Sequence, residues 1–165
     1  MPATVLQAGM VIGAGSASFD MLRAAVRLPV IVGPSWLDNR VQPIAVGDAV
    51  HYLVSSASLP SDVNRAFDIG CPEAITYREL IGIFAQVAGR RPPSIVAVPM
   101  LLPRTASLWA GMLSPGPTAL NAALVHSLTL EMVCGEHDID EYVNEPNGGR
   151  QGVAAAITSA LAAAA

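Results

Sequence analysis

The chain has no lysine: all nine cationic residues among its 165 are arginines. A Walker-type phosphate loop, a Schiff base and a Tyr-x-x-x-Lys proton relay each need an ammonium group, so none can be built from these residues. The three tyrosines, Tyr52, Tyr77 and Tyr142, are followed at the fourth position by Ser56, Ile81 and Pro146. Cysteine is nearly as scarce, with Cys71 and Cys134 standing alone. A structural zinc site takes about four ligands, so no zinc or other metal site is expected, and both thiols read as reduced, small hydrophobes.

Charge is the third scarcity. Charged residues make up 13% of the chain, against roughly 25% in an average soluble domain. A surface so poor in charge is expected to be covered in part, by self-association or by a partner chain. The net charge of -4 supplies no basic footprint, which excludes a nucleic-acid partner. Leu101 to Leu113 is apolar but short for a bilayer and interrupted by Pro103 and Arg104. The opening Met1-Pro2-Ala3 has no basic stretch leading into an apolar run, so the expected location is cytoplasmic.

What is present reads as one α/β domain. Thr4 to Gly13 has the nearly continuous apolar character of a strand buried on both faces. A turn follows at Gly13 to Ser16, with Ser18 placed to cap a helix from about Phe19 to Leu28. Pro29 to Gly33 and Arg40 to Val46 read as strands, and Asp48 sits where a helix cap belongs. Ala66 to Gly70 is a short strand. Thr76-Tyr77-Arg78-Glu79 satisfies the capping-box pattern, opening a helix that stops at Gly89. Ser94 to Val98 is a strand, and helices are expected over 102–113 and 118–130. Residues 145–152 read as a flexible polar linker, and the alanine-rich stretch from Val153 to Ala165 as a frayed tail. The expected division is therefore 1–144 and 145–165.

Two templates compete for the first forty residues. Gly13-Ala14-Gly15-Ser16-Ala17-Ser18 invites a dinucleotide-binding reading, in which a pyrophosphate rests on a helix N-terminus. Its third glycine is Ser18, however, and the acidic residue that should hold a ribose about twenty positions on has no good candidate, since Asp38 falls late, in a loop. The second template fits in order. Val5 to Gly15 is similar to the segment hxRPxxVYGPG of extended short-chain dehydrogenases/reductases, where h is apolar. Arg40-Val41-Gln42-Pro43-Ile44-Ala45-Val46-Gly47-Asp48-Ala49 is similar to their hxxVxDVA block. Phe67 to Leu80 is similar to hnlgxpexhThxEh. The chain thus resembles the carboxy-terminal half of an atypical extended short-chain dehydrogenase/reductase, of the NmrA-like, epimerase-like or complex-I-accessory-like branch.

That resemblance implies a partial Rossmann-like fold: carboxy-terminal strands plus a small, mainly helical substrate-side subdomain. It implies that Ala8, Gly9, Met10 and Val11 approach the nicotinamide of NAD or NADP through their backbone, a role that suits small residues. Ser16, Ser18 and Phe19 would face the substrate cleft, with Arg40 and Gln42 on its far wall. The family usually has Pro where Ala8 stands and Tyr where Ile12 stands. Its glycine-rich GxxGxxG turn and its Tyr-x-x-x-Lys pair have no counterpart in this chain, so no catalytic residue is assigned.

The remaining candidates read as structural. His51 and His126 lie within expected helices with no nucleophile and acid beside them. Trp36 and Trp109 read as packing anchors. Glu136-His137-Asp138-Asp140-Glu141 lacks the glycine order of an EF-hand and reads as an exposed acidic turn. Three functions remain open: the substrate-side portion of an NAD(P)-dependent oxidoreductase or epimerase-like protein; a non-catalytic binding or interaction module; and a degenerate dinucleotide binder using Gly13 and Gly15.

Overall fold

A computed structural model describes residues 3–98 and 127–164. Apart from residues 127–130, the helices expected over 102–113 and 118–130, with Trp109 and His126, lie outside the described residues. In chain order the elements are β1 (Val5–Ala8), β2 (Val11–Ile12), α1 (Ala17–Ala25), β3 (Val30–Pro34) and a 3₁₀ turn (Ser35–Asp38). Then come β4 (Arg40–Val41), β5 (Ile44–Ala45), α2 (Val46–Ser56), β6 (Ala66–Ile69), β7 (Ile75–Thr76), α3 (Tyr77–Val87) and β8 (Ser94–Val98). A second 3₁₀ turn (Asp138–Glu141) and α4 (Val153–Ala163) complete the described part. The ladders β1–β6, β2–β5 and β3–β8 are parallel, and the short pair β4–β7 is antiparallel.

The long first strand divides because it serves two ladders. Val5 to Ala8 lie in register with Ala66 to Ile69, and Val11–Ile12 lie beside Ile44–Ala45. Between them, Met10 is buried and its carbonyl accepts from the Ile44 N–H at 2.8 Å. β1 itself is largely exposed, so the both-faces burial expected of it is not supplied by the described residues. The second long strand divides at Pro43, which has no N–H to give a ladder. Its carbonyl instead accepts from the Cys71 N–H at 2.7 Å.

Local helix signals were partly misplaced. The capping box at α3 stands: the Thr76 hydroxyl accepts from the Glu79 N–H at 3.2 Å, and Glu79 Oε2 accepts from the Thr76 N–H at 2.8 Å. At α1 the cap is Ser16, with Phe19 N–H donating to its Oγ at 3.1 Å, so Ser18 lies inside the helix. Asp48 does not cap α2, which begins two residues earlier, at Val46. It is a buried carboxylate that accepts from the Gln151 N–H at 2.7 Å. Asp48 thereby fixes the approach to α4.

The alanine-rich end is a packed helix, not a frayed tail. Val153, Ala156, Ile157 and Ala160 recur at helical spacing, are buried, and lie against α3, β5 and β2. The polar stretch before it is tied down as well. Arg150 reaches Glu145 Oε1 at 3.0 Å and Asp140 Oδ2 at 3.4 Å. The Tyr52 hydroxyl donates to Asp140 Oδ1 at 3.0 Å, and its pKa is raised, first by burial and then by that carboxylate. The acidic segment is therefore an anchor for α2 and β6 rather than a free turn; Arg65 adds an ion pair to Asp138 at 2.8 Å.

Two apolar clusters form the core. One gathers α1, α3 and α4 around Phe19, Leu80, Phe84 and Ile157. The other packs Tyr52 of α2 on Phe67 and Ile69 of β6, with Ile139 and Val143 behind. No helix of the described residues is long and apolar enough to cross a membrane.

Candidate functional site

The adjacent ends of β1 and β6 open onto a cleft of about 460 Å³. Its floor is Ala8 and Gly9, its flank is Asp68 and Ile69, and its far wall is Gln42 with Met132 to Cys134. The far wall is a strap built by β4. Met132 N–H donates to the Arg40 carbonyl at 2.9 Å, and the Gln42 N–H donates to the Met132 carbonyl at 2.8 Å. Gly9 has a packing reason to be glycine, since an added Cβ would stand 2.9 Å from the Met132 Cβ. The sequence argument for close approach to a flat ring thus has a rival in this contact with the strap.

Gln42 is the clamp of the site. It is buried, its Nε2 donates to the Cys71 carbonyl at 2.8 Å, and its Oε1 accepts from the Cys134 N–H at 3.0 Å. Both ends of the amide are therefore spent on holding the strap to the strand ends. Asp68 works from the other flank, where Oδ2 accepts from the Gly135 N–H at 2.8 Å. Its own N–H donates to Glu136 Oε1 at 2.6 Å. Burial raises the pKa of the Cys134 thiol, and it pushes the Cys71 thiol up to about 12. Both stay protonated at neutral pH, so neither is a ready nucleophile.

Of the residues singled out from sequence, the structure brings Ala8, Gly9 and Gln42 together at this cleft. Met10 is buried and Val11 is half-buried against the second core cluster. The Ser16 hydroxyl is taken up by the α1 cap and by donation to the Val11 carbonyl at 2.9 Å. Ser18 is half-buried, and Phe19 is fully buried with its ring centroid 5.5 Å from that of Phe84. Arg40 is exposed and is not among the cleft residues. Asp38, its neighbour in sequence, pairs with Arg78 at 2.8 Å instead. Asp68, Met132, Val133 and Cys134 were not legible as site residues, because they reach the cleft only through long-range strand and strap contacts.

The glycine turn is packed shut on one side. A Cβ at Gly13 would stand 2.7 Å from the Val46 side chain, at the start of α2. With the Ser16 hydroxyl also engaged, the turn closes a strand onto a helix. Among the described residues no group of three or more His, Cys, Asp or Glu side chains is placed to hold a metal ion.

This architecture is a Rossmann-like α/β fold, represented in part, which the chain shares with solved reductases and epimerases. No protein-family model and no curated protein matches the sequence, whereas solved structures match the fold. The Citrobacter sp. triphenylmethane reductase complexed with NADP(H) is similar over 97% of this chain, at 16% identity and a TM-score of 0.64. The human epimerase family protein SDR39U1 with NADPH is similar over 97% of this chain, at 15% identity and a TM-score of 0.64. RMD from Pseudomonas aeruginosa complexed with NADPH is similar over 96%, at 14% identity and a TM-score of 0.60. The chain spans about half the length of these structures: 53%, 48% and 47% respectively.

Proposed function

We propose that the chain is the substrate-side portion of an NAD(P)-dependent oxidoreductase or epimerase-like protein. The cleft at Ala8 and Gly9 receives the nicotinamide end of the cofactor. The pyrophosphate and adenosine are held by a nucleotide-binding unit that these residues do not form. The cleft's chemistry carries this reading: beside main chain, a thioether and a protonated thiol it offers the amides of Gln7 and Gln42 and the Asp68 carboxylate, with no arginine among its described lining residues. Such a wall suits a flat, weakly polar ring and gives a phosphate nothing to hold. The fold it shares with proteins solved with NADPH or NADP(H) points the same way. When bound, the cofactor supplies the hydride chemistry. This chain's part is to bound the ring on one side, with Gln42 keeping the strap in place and Asp68 fixing the opposite flank. The proton relay belongs elsewhere, because no lysine is present.

Separate titrations of the chain with NADPH, reduced nicotinamide mononucleotide and 2′,5′-ADP test this. The first two should bind in the millimolar range with dissociation constants within about threefold of each other, since the adenosine half meets no site. The third should not bind. Binding of 2′,5′-ADP, or no saturable response to reduced nicotinamide mononucleotide, contradicts the reading.

A further inference from the structure

The cleft carries an unbalanced charge. Asp68 lines it near the end of β6, half-buried, and its Oδ2 accepts from the Gly135 N–H at 2.8 Å. A main-chain N–H positions a carboxylate without cancelling its charge. The residue opposite Asp68 in the β1–β6 register is Gln7, which lines the same cleft and is uncharged. Behind Asp68 stands a second half-buried carboxylate, Glu136, whose Oε1 accepts from the Asp68 N–H at 2.6 Å. Neither acid is in an ion pair among the described residues. Arg65, just before β6, is spent on Asp138 at 2.8 Å. Arg150 is spent on Glu145 at 3.0 Å and Asp140 at 3.4 Å. The field of the two acids reaches the far wall. Burial is the first cause of the raised Cys134 pKa, Asp68 adds to it, Arg150 opposes, and Glu136 adds again.

We propose that Asp68 makes this cleft selective for a flat organic cation, so that it holds the oxidised, positively charged nicotinamide ring in preference to the reduced, neutral one. The inference rests on the reading of the cleft as the nicotinamide site. The two forms share size and carboxamide, and they differ by one unit of charge on the ring. Main chain, Met132 and Val133 meet both forms alike, so a charged wall residue is what separates them. A carboxylate beside the ring favours the cation, and at a half-exposed position the gain is about three- to tenfold in affinity. By linkage, a tighter hold on the oxidised form lowers the reduction potential of the bound couple, which favours reducing a substrate over oxidising it.

The test uses probes without phosphate or adenosine: 1-methylnicotinamide, its neutral dihydro form, and the anion nicotinate. Each is titrated into the labelled chain and read by nuclear magnetic resonance at the Gly9 and Cys134 amides, which lie on opposite walls of the cleft. 1-Methylnicotinamide should bind about three- to tenfold more tightly than its dihydro form, and nicotinate should give no saturable shift. Raising salt from about 0.05 to 0.5 M should shrink the preference, because a half-exposed charge is screened. Asp68→Asn keeps an oxygen for the Gly135 N–H, so the strap stays in place, and the two forms should then bind within about twofold of each other. Equal binding of the two forms by the wild-type chain, or a preference that survives Asp68→Asn, overturns the charge selection and leaves the ring in the cleft. A variant that loses both forms alike shows Asp68 to be a strap anchor only, and overturns it too. No shift with either form removes the nicotinamide reading and this inference with it.

Discussion

Ile157→Asp should leave the chain without a cooperative unfolding transition, and Ile157→Ala should cost about 2–5 kcal/mol in urea denaturation followed by far-ultraviolet circular dichroism. Ile157 is fully buried and stands in the middle of the α4 face that packs on α3, β5 and β2. Removing three of its carbons opens a cavity between α4 and the elements it packs on, at a helix that has no side-chain cap at its start. An aspartate there is an unpaired buried charge, whose penalty rivals the whole stability of about 5–15 kcal/mol of an ordinary domain. A loss below about 1 kcal/mol for Ile157→Ala, the size expected of a surface change, would restore the frayed-tail description.

Gln42→Ala should be nearly as damaging, through polar groups rather than volume. It strands the Cys71 carbonyl and the Cys134 N–H, which the Gln42 amide joins at 2.8 and 3.0 Å. The buried Cys71 carbonyl left without a partner costs about 1–3 kcal/mol, and the part-buried Cys134 N–H, at the cleft wall, costs less. The site should feel this as well as the fold. Hydrogen exchange at the Cys134 amide should accelerate far more than exchange at the α3 amides, because the strap is released while the capping box and α3 stay intact. Gln42→Met, which keeps the bulk and loses the amide, should behave like Gln42→Ala. If Gln42→Met is as stable as wild type, the clamp is packing alone.

What was legible in the sequence depended on how local its cause was. The capping box at Thr76 and Glu79 needs four consecutive residues, and it stands as read. The α/β class, with its parallel strands, followed from apolar runs and the order of three blocks. Asp48 was misread because a carboxylate at a helix start has two explanations, a cap or a long-range acceptor, and only the position of Gln151 decides between them. The end of the chain was misread for a different reason. In a stretch where exposed and buried positions are alike alanine, a helical stripe leaves no contrast, so Val153, Ala156, Ile157 and Ala160 cannot be told from their neighbours. Of the residues lining the cleft, Ala8, Gly9 and Gln42 had been singled out in the sequence. Met132, Val133 and Cys134 reach it through a strap that pairs with β4 across most of the chain, which no local pattern announces.

The most direct test of the proposal that the cleft receives a nicotinamide is to locate the ring itself. Intermolecular nuclear Overhauser contacts should be measured between NADPH and the chain carrying labelled methyl groups. The nicotinamide protons should show contacts to the Ala8 methyl and the Met132 thioether methyl, and the adenine protons should show none to any residue. Contacts from adenine or ribose protons to Ala14, Ala17 or the Val46 methyls would place the nucleotide on the Gly13 turn and contradict the account.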